Sequence, residues 1–258
     1  VPKMFMFQIH GTIAFKNLIL QVNSSTNGAQ PVQGTGSLRN HAALPWTGKA
    51  FFMADRDNYR IQKFTSSGAF VTKWGSFGRK NGQFDFPYCL SADNEGYIYV
   101  VNTYNNDSIQ KFSSSGIFTA RIGSRGTGDG QFTGSFGIAL DGKGYIYIVE
   151  KDNHRVQKLD KDGKFVTKWG SYGSDDGQFI YPRGISIDTS GNVYILDNGN
   201  YRIEKFSSDG KFITKWGKIG SGSGEFQSGM TGISVFSDKA VYILEYENER
   251  VQKFIPKK

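Results

Sequence analysis

An all-β fold, a closed β-propeller of four-stranded antiparallel blades, is what this sequence predicts, on three observations. One phrase of strand and turn residues returns with a nearly constant period. Each period contains four short strand-like runs punctuated by glycine. No window of helix length carries a 3.6-residue apolar pattern.

The period is read from Gln62, Gln110, Gln157, Glu204 and Gln252, which stand 48, 47, 47 and 48 residues apart. Other columns keep the same phase: Trp74, Ile122, Trp169 and Trp216; Gly82, Gly130, Gly177 and Gly224; Phe84, Phe132, Phe179 and Phe226; Tyr99, Tyr147, Tyr194 and Tyr242. A period in the forties held in several columns marks repeated supersecondary units, each unable to bury its apolar faces alone.

Within a unit the first strand is "GIALD" or "GISID". The second, "GYIYVVN", "GYIYIVE" or "GNVYILD", is β-branched and aromatic on both faces, as suits a sheet stacked between two others. "RIQKF" follows as the third strand, and an "SSG" or "KDG" turn joins it to the alternating "FVTKW". Its one wetter face places "FVTKW" outermost. Four-stranded units repeated four to eight times are propeller blades.

The whole chain, 1–258, reads as one domain, with clear repeats over 47–258 and a degenerate or partial first blade in 1–46. In that segment Gly34 stands 48 residues before Gly82, and "NLILQV" suits an outer strand. Six blades are expected, with five as the alternative. The last unit ends at "RVQKF" without an outer strand, so the ring is expected to close by pairing of the N- and C-terminal segments.

Composition fits this reading. Of 258 residues, 38% are hydrophobic and 15% aromatic, and 33 glycines against 6 prolines fall at turn positions between apolar runs. No run approaches the ~18 apolar residues of a membrane span; "MFMFQIHGTIAFKNLILQV" is broken by Gln8, His10, Lys16 and Asn17. The single cysteine, Cys89, rules out an internal disulfide framework and a multi-cysteine zinc site, and is expected as a small buried hydrophobe. Glycosylation-type triplets at Asn23 and Asn106 lean toward a secreted or cell-surface location.

"DNHRVQKLDKDGKFVTKWGSYGSDDGQFIYPRGISIDTSGNVYILD" closely resembles the NHL repeat, with Asn153, His154 and Arg155 at the Asn-His-Leu stretch that names it. The resemblance extends over roughly 48–254. It implies a closed β-propeller, usually of six blades, and no one function, since a fold hosts many.

Two loop sets are expected on one face of such a ring. One joins second to third strands ("DRDNYR", "NTYNNDS", "EKDNHR", "DNGNYR", "EYENER"); the other joins successive blades ("GSFGRKNGQFDFP" and its copies). Loops held by a rigid frame are where binding concentrates. The recurring acids Asp55, Glu150, Asp197 and Glu245 are expected to pair with Arg60, Arg155, Arg202 and Arg250 and hold the first set; the second blade loses both partners, to Thr103 and Ser108. Residues that differ between blades are the binding candidates: Arg56, Tyr59, Arg79, Lys80, Tyr104, Arg125, His154, Tyr172, Tyr201 and Tyr246.

The formal charge of +8 equals eight strand lysines: Lys63, Lys111, Lys158, Lys205 and Lys253 on third strands, Lys73, Lys168 and Lys215 on outer ones. These are expected as solvated side chains that blunt edge pairing. The loop face is mixed in sign. Single-stranded RNA binding, which the resemblance to tripartite-motif propellers offers, needs a continuous cationic track with stacking aromatics. Asp175, Asp176, Glu245, Glu247 and Glu249 interrupt that track.

A metal-dependent lyase or hydrolase at the central channel, the other family analogy, needs clustered histidines. His10, His41 and His154 occupy non-equivalent positions, and no zinc-protease or nucleophile-elbow pattern occurs. No cofactor, no metal and no catalytic residue is therefore assigned. The expected function is a non-catalytic scaffold presenting variable loops to a protein, peptide or glycan.

Overall fold

The computed structural model describes residues 7–9, 41–43, 50–104, 107–236 and 240–255, with backbone alone for 7–9 and 41–43. Five small antiparallel sheets follow one another along the chain. The first holds, in spatial order, β1 (Phe7–Ile9), β2 (His41–Ala43), β3 (Ala50–Asp55), β4 (Arg60–Thr65) and β5 (Phe70–Trp74). The second is β6 (Pro87–Ala92), β7 (Ile98–Asn102), β8 (Ser108–Phe112) and β9 (Phe118–Ile122). A short parallel pair, β10 (Ser124–Arg125) with β11 (Gln131–Phe132), lies in the next linker.

The third sheet is β12 (Ser135–Leu140), β13 (Ile146–Glu150), β14 (Arg155–Leu159) and β15 (Phe165–Trp169). The fourth is β16 (Pro182–Ile187), β17 (Val193–Asp197), β18 (Arg202–Phe206) and β19 (Phe212–Trp216). The fifth has three strands, β20 (Met230–Val235), β21 (Val241–Glu245) and β22 (Arg250–Phe254). The architecture is a β-propeller with five blades among the described residues.

Of the six blades expected and the five kept as the alternative, five are seen among the described residues, where the two N-terminal strands join the sheet of the first blade. Within 1–46, β2 pairs with β3 and supplies the inner strand of the first blade, and β1 adds beyond it. No strand pairs with the free edge of β22 among the described residues, so pairing of the two chain ends is not seen there. "NLILQV" lies outside the described residues, as do Asn23 and Asn106. Among the described residues no helix is long and apolar enough to cross a membrane.

The core is distributed between neighbouring sheets. Phe52, Ile61, Leu90 and Val100 meet between blades one and two, and Val101, Ile109, Ile138 and Ile148 between two and three. Val149, Val156, Ile185 and Ile195 fill the next gap, and Leu196, Ile203, Ile233 and Ile243 the last. The second strands β7, β13 and β17 are buried on both faces, which is why they read as continuous apolar runs. Each linker sends one phenylalanine into the gap: Phe84, Phe132, Phe179 and Phe226 are all fully buried, each worth roughly 1.5–3 kcal/mol of apolar burial. Cys89 is buried among them.

Some of the strand lysines depart from the expectation of plain solvated side chains, while Lys73 and Lys215 are exposed as expected. Lys158 is buried; its Nζ donates to Ser208 O at 2.9 Å and lies 4.2 Å from the Tyr145 ring centroid. Lys63 Nζ reaches Ser114 O at 2.8 Å, while Lys168 and Lys215 pair with linker acids Asp129 (2.7 Å) and Asp176 (2.8 Å). Lys63 and Lys158 thus reach a carbonyl group of the next blade, and Lys168 and Lys215 hold the linker before their own blade through its carboxylates.

Candidate binding face

The loop between second and third strands is a single tight turn closed by a left-handed residue. Asp55 Oδ1 accepts from Asn58 Nδ2 at 2.9 Å, and its Oδ2 accepts from Arg60 Nε at 2.7 Å and Gln62 Nε2 at 3.0 Å. Glu150, Asp197 and Glu245 repeat the arrangement with Arg155 (2.7 Å), Arg202 (2.9 Å) and Arg250 (2.8 Å). The arginine then reaches into the linker: Arg155 Nη1 donates to Thr127 O at 2.7 Å, and Nη2 to Gly128 O at 3.0 Å and Gln131 O at 3.1 Å. These pairs are scaffold, joining both loop sets into one face.

The residue closing the turn is Tyr59 (φ 55°), His154 (φ 50°), Tyr201 (φ 55°) or Glu249 (φ 47°). Left-handed backbone at a bulky side chain is costly and needs support from packing. At two junctions the support is aromatic. Tyr59 lies 4.9 Å from the Phe77 ring and 6.1 Å from Phe86; His154 lies 5.0 Å from Tyr172 and 5.2 Å from Tyr181. His154 Nδ1 accepts the Tyr181 N–H at 3.2 Å, and burial, followed by the Lys151 charge, holds its imidazole below the usual histidine range against the opposing pull of Asp152. Tyr201 is half-buried against the core between blades four and five.

The other candidates fall into place around these triads. Arg56 pairs with Asp57 at 2.9 Å and sits 5.7 Å from the Phe86 ring centroid, while Tyr104 packs on Phe86 at 4.7 Å. Arg79 is exposed, with Nε 4.0 Å from Asp85, and Lys80 is exposed. Tyr246 is exposed on the fifth blade. Three residues beyond the sequence candidates stand out: Phe77, Tyr181 and Ile219 are 64%, 49% and 65% exposed. Two of them share a column with Tyr172, since Phe77, Arg125, Tyr172 and Ile219 are spaced 48, 47 and 47 apart, and that register was readable from the sequence.

Blade two departs from this pattern. Asp107 takes the place of Tyr59 and His154, Arg125 that of Phe77 and Tyr172, and Gly134 that of Phe86 and Tyr181. Removing the rings leaves a pocket of about 160 Å³ lined by Thr103, Tyr104, Asp107, Arg125, Gly134 and Lys151, with Thr133, Phe136 and Asp152 at its walls. Asp107 is 2% exposed, accepts the Gly134 N–H at 3.1 Å, and has Arg125 Nε 4.0 Å away. Burial lifts its carboxyl to about 6, against backbone N–H groups and Arg125, which pull it down.

Of the histidines, His10 lies outside the described residues and His41 is described in backbone alone. Among the described residues no three histidine, cysteine, aspartate or glutamate side chains come together as a metal set.

The family model for the NHL repeat matches residues 179–206, which run from the buried linker phenylalanine through the end of β18. The chain is a β-propeller that carries an NHL repeat over these residues. Curated proteins gave no match. Among solved structures, this propeller is similar to a streptogramin B lyase, at 17% identity over 84% of this chain and 69% of the other, with a TM-score of 0.59. A selenomethionine-substituted virginiamycin B lyase from Staphylococcus aureus matches at 17% identity over 83% and 68%, TM-score 0.58. A nidogen/laminin complex matches at 14% identity over 83% and 78%, TM-score 0.57. Likeness at these identities is likeness of fold.

Proposed function

We propose that the loop face of this NHL propeller is a non-catalytic docking platform for a protein, peptide or glycan. One observation carries the reading. At three of the four blade junctions among the described residues the same position holds a large apolar side chain, Phe77, Tyr172 or Ile219, each more than 60% exposed, and the first two are braced from beneath by a ring on the left-handed turn. Large apolar side chains held rigid on an exposed face are interface anchors, since little entropy is lost when a partner covers them. Arg79 and Arg125 each stand 4.0 Å from an acid on this face, which favours docking over a cationic nucleic-acid track. The platform is taken as a closed ring, supported by β1 running alongside β20 and β21.

Peptide and glycan arrays probed with the full chain and with a Phe77→Ser/Tyr172→Ser/Ile219→Ser variant test the reading. The wild type is expected to bind a defined set of spots and the variant to lose them with its melting temperature unchanged. A variant that keeps the wild-type profile, or a wild type that binds nothing, overturns it. Binding to a short single-stranded RNA that collapses with added salt would favour the RNA reading instead.

A further inference from the structure

The junction between blades two and three is built from the same register as its neighbours, yet each of three ring positions has changed. Where the first junction stacks Tyr59, Phe77 and Phe86, this one has Asp107, Arg125 and Gly134. The glycine matters most. A Cβ there would come within 2.2 Å of Asp152 Oδ2, and the backbone at φ +62° disfavours a side chain. The Asp152 carboxylate occupies the space beside the glycine where a phenylalanine or tyrosine side chain begins elsewhere, and with Gly134 it lines the pocket that the missing ring leaves.

The pocket carries a buried polar group with unused capacity. Thr103 is 1% exposed, and its Oγ1 has no hydrogen-bond partner. This is the blade that lost the acid–arginine frame, so Thr103 stands beside the position where the other blades anchor their turns. An unpaired buried hydroxyl costs about 1–3 kcal/mol, which a ligand group can recover. Asp107 accepts from the Gly134 and Ser135 backbone N–H groups and faces Arg125 beyond hydrogen-bond distance.

Charge decides the ligand class. Each cation already has its acid within the pocket: Arg125 beside Asp107 at 4.0 Å, Lys151 beside Asp152 at 3.5 Å. A ligand of net charge would have to break a pair, and a hydrocarbon would strand Asp107 and Thr103. An uncharged ring bearing hydroxyls adds hydrogen bonds without breaking any. Its hydroxyls donate to Asp107 and Thr103 and accept from Arg125 and Lys151, and its C–H faces meet Tyr104 and Phe136. The volume of about 160 Å³ suits one six-membered ring, since a cavity of about 150 Å³ holds benzene.

We propose that the pocket formed by Thr103, Tyr104, Asp107, Arg125 and Lys151 binds one uncharged polyhydroxylated ring, the terminal neutral sugar of a glycan. The assignment rests on the docking-platform reading for the source of that ring, and names its chemistry.

The test uses the full ¹⁵N-labelled chain titrated with methyl glycosides of glucose, galactose and mannose, and separately with glycine betaine. Saturable amide shifts at Thr103, Gly134 and Lys151 are expected with at least one glycoside and not with betaine. Arg125→Phe, which installs the first junction's residue at an exposed position, is expected to weaken binding about tenfold or more, and Thr103→Val about threefold or more. Three glycosides that leave Gly134 unmoved, binding undiminished in Arg125→Phe, or shifts with betaine alone would each overturn the proposal. Silent glycosides would leave the Phe77, Tyr172 and Ile219 platform standing, because the arrays report on it separately.

Discussion

Glu204 accepts the Gly177 N–H at 2.9 Å, and so fastens the linker between blades three and four onto β18. Gln110, Gln157 and Gln252 do the same for Gly82 (2.8 Å), Gly130 (2.9 Å) and Gly224 (2.8 Å). A glutamine also returns a donor: Gln110 Nε2 reaches Gln83 O at 2.6 Å, Gln157 Nε2 reaches Gln131 O at 2.7 Å, and Gln252 Nε2 reaches Glu225 O at 2.9 Å. Glu204 has no such donor when ionised. Its Oε1 touches Arg202 yet accepts no hydrogen bond, and burial raises its carboxyl to about 7 despite the Arg202 charge.

Glu204→Gln is therefore expected to stabilise the propeller, by roughly 1–3 kcal/mol at pH 8. The sign follows from proton linkage. Between the ordinary carboxylate value of 4.5 and about 7, the folded chain keeps a proton the unfolded chain has released. Stability contributed by that group thus falls as pH rises through this window. Thermal melts at pH 4.5 and pH 8 should show the variant's advantage growing with pH. Equal melting temperatures at pH 8 would refute the account.

Arg202→Ala should be among the most damaging single changes. Its Nη1 donates to Ser174 O at 2.6 Å, and its Nη2 to Asp175 O and Gln178 O at 2.9 Å each, so one side chain ties turn to linker. Removing it leaves Asp197 and Glu204, both fully buried, without their counter-charge, at a cost of roughly 3–5 kcal/mol. Denaturant unfolding would measure this. Array binding below the melting transition should be unchanged, because Arg202 is buried under the face and presents nothing to a partner.

The period, the strand order and the acid–arginine frame were legible because each is a repeated solution to one packing problem. Five columns of Gln, Phe, Tyr, Trp and Gly are enough to place every blade from residue 50 onward. The first blade was less legible: β2 has three residues and only short-range register to announce it, so the segment before residue 47 reads as a separate partial unit. Lysine burial was hidden for a different reason. "RVQKL" shows alternation, but whether Lys158 meets water depends on the Ser208 turn fifty residues away. The pocket at blade two could be suspected from Asp107, Arg125 and Gly134 only with the columns laid side by side, since none of the three is unusual for a loop. What marks them is the aromatic residue each replaces.

Two turn glycines with nearly the same backbone should respond differently to alanine. Gly68 has φ +87° and open space where an added methyl would stand, whereas Gly210, at φ +85°, would put that methyl 2.6 Å from Trp169 Cε3. Gly116 and Gly163 meet Trp74 and Ile122 in the same way, so each hairpin turn leans on the outer strand of the blade before it. Gly68 belongs to the first blade, and the fifth sheet has no outer strand among the described residues to press against it. Gly68→Ala should then cost only the left-handed backbone, about 1–2 kcal/mol. Gly210→Ala should cost that and a further ~1–3 kcal/mol for displacing Trp169 from the rim of the core between blades three and four. Denaturant midpoints compared at constant m-value give both numbers. Equal losses would mean that Trp169 yields freely, and that the turns are not what locks one blade to the next.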